Sequence, residues 1–159
     1  MDENLIDQIL AEFEESQQAF LELLAQTDEA SLYHKGDAAD WSAAMVLVHI
    51  AEAREFFAGE IEKILAEPPE TVGRTLDDPH RLQTIASYGQ ASVEEIRRRL
   101  VRSHQIMAGT VRKVTATHLK LQPVHVSYGP LTMTEFLQRF VVGHDRAHVQ
   151  QVKTLLEGE

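Results

Sequence analysis

The chain has 159 residues, 43% of them hydrophobic, which is enough for a core of its own, and one domain over residues 1–159 is expected. With 15 basic against 25 acidic side chains the net charge is −10, a field that repels a phosphate backbone and argues against nucleic acid as a partner. Cysteine is absent, no apolar run nears the roughly eighteen residues of a membrane span, and the acidic opening MDENLIDQ is unlike a signal peptide, so the cytoplasm is the expected compartment.

Residues 4–26 predict a first long helix, because Ile6, Ile9, Leu10, Phe13, Gln17, Phe20 and Leu24 recur at helical spacing as one stripe. Residues 27–40, with Gly36 and several small polar side chains, predict a loop. A second helix starts near Trp41 and Ser42, capped by Asp40 or Ser42, and stops before Pro68 and Pro69. Its inward stripe is Met45, Val48, His49, Glu52 and Phe56, which puts one histidine on a buried face.

Residues 67–91 form a long connection, within which Asp78-Pro79 starts a short helix to about residue 88. Ser92 and Glu95 then make a capping-box signature for a third long helix over residues 92–116. Its core side is Val93, Ile96, Leu100, His104, Met107, Val111 and Val114. His104 has two readings, a core histidine bonded to a neighbour or a cofactor-binding group with a metal or acid–base role. Arg97, Arg98, Arg99 and Arg102 on the same helix are expected to be a solvated face paired with Glu94 and Glu95.

Residues 117–131, with Pro123, Gly129 and Pro130, predict irregular chain with a short extended piece. Thr132 and Glu135 form another capping box and open the fourth helix. There Phe136, Phe140, His144, His148, Gln151 and Leu155 follow at intervals of three or four, so His144 and His148 leave one face a turn apart. Inward imidazoles are costly unless their lone pairs are held, by a hydrogen-bonding neighbour or by a divalent metal.

Four amphipathic helices without a convincing strand predict an all-α four-helix bundle. At ~1.5 Å per residue His49 lies about 10 Å into its helix, and His144 and His148 about 12–18 Å from the end of theirs. These levels match if the second and fourth helices run antiparallel. The long 67–91 connection would then leave the second and third parallel, and the three imidazoles would converge toward the end where Trp41 enters.

Trp41-Ser42 with His49 seven residues on, Gly129 with Leu131-Thr132, Glu135-Phe136-Leu137, and His144-Asp145 with His148 and Gln151 together resemble the DinB/YfiT-like family, along nearly the whole chain. The resemblance implies a bundle of up-down-down-up order with a long crossover between its second and third helices, often a homodimer. It also implies a divalent metal on three histidines, which fall here on His49, His144 and His148. Zinc or nickel come first for such a set, with iron or cobalt as the other choices. Gln151 and Asp145 are candidates to orient an imidazole or a metal ligand, Gln151 the stronger because it lies on the inward stripe. Met45 departs from the pattern, since many relatives carry a glutamate there. The implied activity is a metal-dependent transferase on a small-molecule substrate with a low-molecular-weight thiol such as bacillithiol or mycothiol. The alternatives are metal-dependent hydrolysis and non-catalytic binding of a metal or small ligand.

Overall fold

The computed structural model describes residues 2–35 and 41–157. In chain order these hold α1 (Asp2–Gln26), α2 (Glu29–Tyr33), α3 (Ala43–Ala66), α4 (Pro79–Tyr88), α5 (Val93–Val111), a 3-10 turn (His118–Lys120), β1 (Val124–His125) and β2 (Gly129–Pro130). The last rod runs through α6 (Met133–Leu137), a π-helical turn (Gln138–Gly143) and α7 (His144–Leu156). α1, α3, α5 and the α6–α7 rod form a four-helix bundle. Among the described residues no helix is long and apolar enough to cross a membrane.

Helix starts follow local chemistry. Ser42, Ser92 and Thr132 each accept a backbone N–H three residues on, at 3.1, 3.1 and 3.0 Å, and Asp78 accepts from Arg81 N at 3.0 Å. Such caps contribute about 1 kcal/mol apiece. Ser42 is the cap of α3; Asp40, the other candidate, lies outside the described residues.

Side-chain pairs set the directions of the rods. Arg54 meets Leu100 and Ser103 while Glu62 meets Lys113, so α3 and α5 advance together. His49 lies against His144 and His148, whereas Phe57 packs on Phe136 and Phe140, so α3 opposes the last rod. α3 is the central element: most of its residues are buried, well beyond the single stripe expected from its sequence.

Three local expectations change, and the expected extended piece takes a definite form. The 27–40 loop contains α2, too short to show periodicity, capped by Asp28 onto Ser31 N at 2.7 Å and anchored by buried Leu32 and a Tyr33 hydroxyl that donates to the Ala91 carbonyl. α5 ends at Val111, not at residue 116. Lys113 N and Val114 N bond three residues back, to Thr110 O and Val111 O, and β-branched Thr110, Val111, Val114 and Thr115 favour that tightening. The extended piece is the β1–β2 ribbon, with Val124 opposite Pro130. The fourth helix is interrupted by its π turn, where His144 N bonds Arg139 O, five residues back.

That π turn alters the inward face. Residues four apart drift about 40° per step around a regular α-helix, and a π turn absorbs part of that drift. The deep series is therefore Leu137, Val141, Asp145, Val149 and Val152, all buried. Phe140, His144 and His148 fall one residue aside, half-buried, along a cavity wall. Asp145 is thus inward and Gln151 exposed, the reverse of the expectation.

The core is in two apolar parts. One gathers Ile9, Phe13, Phe57, Ile61, Met107, Val111 and Phe136; the other gathers Phe20, Leu24, Leu47, Ile50, Ile96, Leu100 and Val152. Between them lies a polar layer to which every rod contributes. Arg54 Nε donates to Asp145 Oδ2 at 2.9 Å, and its Nη1 donates to Gln17 Oε1 at 2.9 Å, the Leu100 carbonyl at 3.0 Å and Ser103 Oγ at 3.2 Å. The guanidinium also lies over the rings of Phe13 and Phe20, their centres 5.0 and 5.6 Å from its carbon.

The crossover is pinned to the ribbon by paired bonds, Val72 N to Val124 O at 2.8 Å and Val126 N to Val72 O at 2.9 Å. Gly73 follows with φ +89°, and a Cβ there would meet His125 Nε2 at 2.3 Å. Gly73→Ala is therefore expected to cost on the order of 2–3 kcal/mol in urea unfolding, from left-handed strain together with displacement of a buried ring. An unchanged midpoint would show that the ring gives way freely.

Candidate metal centre

His49 is brought in by the second turn of α3, and His144 and His148 by the first two turns of α7. His49 Nε2 and His144 Nε2 stand 3.3 Å apart, and one ring nitrogen from each of the three lies within 4.8 Å of the others. Two nitrogens bound at ~2.05 Å in a tetrahedral site would be about 3.3–3.4 Å apart, so that pair already has the spacing of ligands.

The outward nitrogens support the same assignment. His148 Nδ1 is 2.6 Å from Gln151 Oε1, which can only accept, so Nδ1 carries the hydrogen and Nε2 keeps its lone pair. His144 Nδ1 faces Asp145 Oδ1 at 3.4 Å. His49 Nδ1 faces Glu52 Oε1 at 3.8 Å without a hydrogen bond. Acceptors on the outer nitrogens of metal-binding imidazoles set the tautomer and aim the inner ones.

Charge points the same way. Burial pushes the His49 imidazole down to about 2, with His144, His148, Arg81 and Arg74 adding to the shift. Burial and His144 push His148 down to about 4 against the opposing contact of Gln151. Both are neutral at pH 7, the form that binds a cation. The residues present fit a divalent metal: three imidazoles, each with one ring nitrogen within 4.8 Å of the others.

The cluster opens into a cavity of about 480 Å³. One wall is aromatic, with Phe140 stacked on Phe57 at 4.5 Å and on His125 at 5.0 Å, and Tyr128 beside them. The other wall carries Arg74 and Arg81 from the crossover. Three protein nitrogens facing open space leave positions for an incoming ligand, as in catalytic metal sites and unlike closed structural ones.

The sequence profile of the DinB superfamily matches residues 12–152. The chain belongs to the DinB superfamily.

No curated protein sequence matches it. Among solved structures, YfiT from Bacillus subtilis, described as a probable metal-dependent hydrolase with an unusual four-helix bundle topology, superposes with a TM-score of 0.79 at 16% identity, over 96% of this chain and 86% of that one. TT2238, a four-helix bundle protein, gives a TM-score of 0.68 at 22% identity, over 94% and 98%. The mycothiol-dependent maleylpyruvate isomerase gives 0.72 at 14% identity, and there the match spans 94% of this chain but 60% of that one. At these identities the likeness is one of fold.

Several residues singled out by sequence lie elsewhere in this DinB-superfamily bundle. His104 is outside the cavity wall. Its Nε2 pairs with Glu14 Oε2 at 2.9 Å and its ring stacks on Phe13 at 4.7 Å. Met45 packs against Gly89, where an added Cβ would meet its Cγ at 2.7 Å. Arg97, Arg98 and Arg99 pair with Glu94 and Glu95 at 3.8, 3.1 and 3.2 Å, with Arg98 exposed and the other two half-buried.

Sequence reasoning missed Arg54, Arg74, Arg81, His125 and Tyr128. Arg54 left one signal: it sits in step with Ile50, Phe57 and Ile61 on an otherwise apolar stripe. The other four lie on segments with no extended periodicity. Glu52, placed on the inward face without a partner, is held through both oxygens by the two terminal nitrogens of Arg74.

Proposed function

We propose that this chain is a metal-dependent enzyme acting on a small molecule, with a low-molecular-weight thiol as cosubstrate. The observation that carries the reading is the meeting of three imidazoles at the wall of an open cavity. The chemistry supplied by a divalent cation held on His49, His144 and His148 is Lewis acidity, which lowers the pKa of a thiol or of water. The chain's own part is to orient those rings through Gln151 and Asp145, to shield one side with Phe57 and Phe140, and to line the other with cationic groups. Lack of cysteine is compatible, because the nucleophile arrives with the cosubstrate.

The cavity wall favours thiol transfer over hydrolysis. A thiol has one proton to lose, whereas attack by water leaves a second whose removal a general base assists, and among the described residues no carboxylate lines the cavity. His125 is committed elsewhere, its Nδ1 accepting from Ser127 N at 2.9 Å. Hydrolysis is the second reading, supported by the description of YfiT. The test is turnover of 1-chloro-2,4-dinitrobenzene by zinc- or nickel-loaded protein against a panel of thiols. A thiol-dependent rate that falls to background in His144→Ala is expected. A rate indifferent to His144 removes the enzymatic reading, and ester cleavage that needs only water shifts it to a hydrolase.

A further inference from the structure

We propose that Arg81 is the specificity-determining residue of this cavity and binds the carboxylate of a substrate whose apolar body lies on Phe57 and Phe140. The inference rests on the cavity being the substrate site, as read above, and it names the class of molecule that enters.

The first ground is the balance of charge. The chain carries −10 overall, yet the cavity wall holds two guanidiniums and, among the described residues, no carboxylate. An acidic protein has little reason to gather cationic groups on the wall of a cavity unless they serve an anion. The field of a bound cation would add to theirs.

The two guanidiniums are not equivalent. Arg74 is already neutralised: both terminal nitrogens bond the Glu52 carboxylate, and Asp78 Oδ2 lies 3.8 Å from one of them. Arg81 forms no ion pair among the described residues. Its Nη1 donates to the Leu76 carbonyl at 2.7 Å, and its plane lies over Trp41 with the ring centre 5.1 Å away. These contacts hold the side chain in place without supplying a counter-ion. Burial and neighbouring Arg74 both press against its charge, Glu52 and Asp78 offset them only in part, and its pKa is lowered accordingly.

The fork geometry of a held guanidinium matches a carboxylate. Across the cavity the stacked rings of Phe57 and Phe140 present an apolar face to the rest of the ligand. A molecule with an acid group at one end and a short apolar or unsaturated body then has one position for each part, its far end directed to the three imidazoles.

The probes are 3-phenylpropionate and 3-phenylpropan-1-ol, which share a carbon skeleton and differ in charge. Each is titrated calorimetrically into full-length wild type, Arg81→Gln and Arg81→Lys, before and after chelation, with metal content measured on the same samples. Wild type is expected to prefer the acid even after chelation, when no cation can attract it. Arg81→Gln should lose roughly ten- to a hundredfold in affinity for the acid and nothing for the alcohol, and Arg81→Lys should fall between. Equal binding of acid and alcohol, no binding of either, or an Arg81→Gln protein that binds the acid like wild type overturns the proposal. Acid selectivity in a wild type that takes up no metal would instead sink the metal-dependent reading and leave the role of Arg81 standing.

Discussion

Asp145→Ala is expected to destabilise the protein by about 3–5 kcal/mol, the largest stability loss of any single substitution considered, because it strands the Arg54 guanidinium in the core without its counter-ion. Asp145 is only 1% exposed and Arg54 2%, so water replaces neither partner. Burial pushes the Asp145 carboxyl up, but Arg54 and His144 more than offset this and hold it below its ordinary 3.8, which keeps the pair charged. Arg54→Met should cost a comparable amount, since Gln17, Ser103 and the Leu100 carbonyl lose their donor together with the carboxylate. The double substitution Arg54→Met with Asp145→Leu removes both charges at similar volume and should recover most of the loss. Urea unfolding of wild type, Arg54→Met, Asp145→Leu and the double variant checks this as a double-mutant cycle. Additive losses would show that the layer is not coupled. The double variant should still bind metal more weakly, because Asp145 Oδ1 faces His144 Nδ1 at 3.4 Å and that orienting contact is gone.

The second large effect concerns the metal itself. His49→Ala, and likewise His144→Ala or His148→Ala, is expected to abolish metal uptake by protein purified without a metal-affinity column, read by elemental analysis. Two remaining imidazoles are fewer than the three protein ligands that open catalytic sites use. Gln151→Ala should be milder, a loss of roughly 10–100-fold in affinity, since it removes only the acceptor at 2.6 Å that aims the His148 ring. His104→Ala should leave metal content unchanged, because its partner is Glu14. This graded order separates a three-nitrogen centre from adventitious binding to surface histidines. Equal metal content in wild type and His49→Ala would end the assignment.

The polar layer and the candidate centre are mechanically linked. Asp145 and His144 are adjacent in sequence, one facing the core and the other the cavity, so Arg54 ties the bundle interior to the backbone that carries two imidazoles. The π turn just before them places both. It puts Asp145 on the deep side with Val141 and Val149 and leaves His144 and His148 beside Phe140 at the cavity. π turns recur at functional sites because they re-aim side chains at modest cost to the helix.

From the amino-acid sequence alone, the four long helices, the Ser92 and Thr132 starts, the Pro68-Pro69 stop and the one-turn spacing of His144 and His148 were all legible, while the cap of the second helix stayed open between Asp40 and Ser42. Each is a short-range matter of periodicity, capping or ring geometry, settled within a few residues. The partners of buried polar groups were not. Arg54 finds Asp145 91 positions away, and Glu52 finds Arg74 across the crossover, on a segment with no periodicity of its own. His104 shares its stripe with Leu100 and Met107 yet bonds Glu14, because α1 and not the cavity lies against that part of α5. Only the packed bundle decides which polar side chains meet, since a buried charge takes the partner that folding brings beside it, and no local pattern encodes that neighbour.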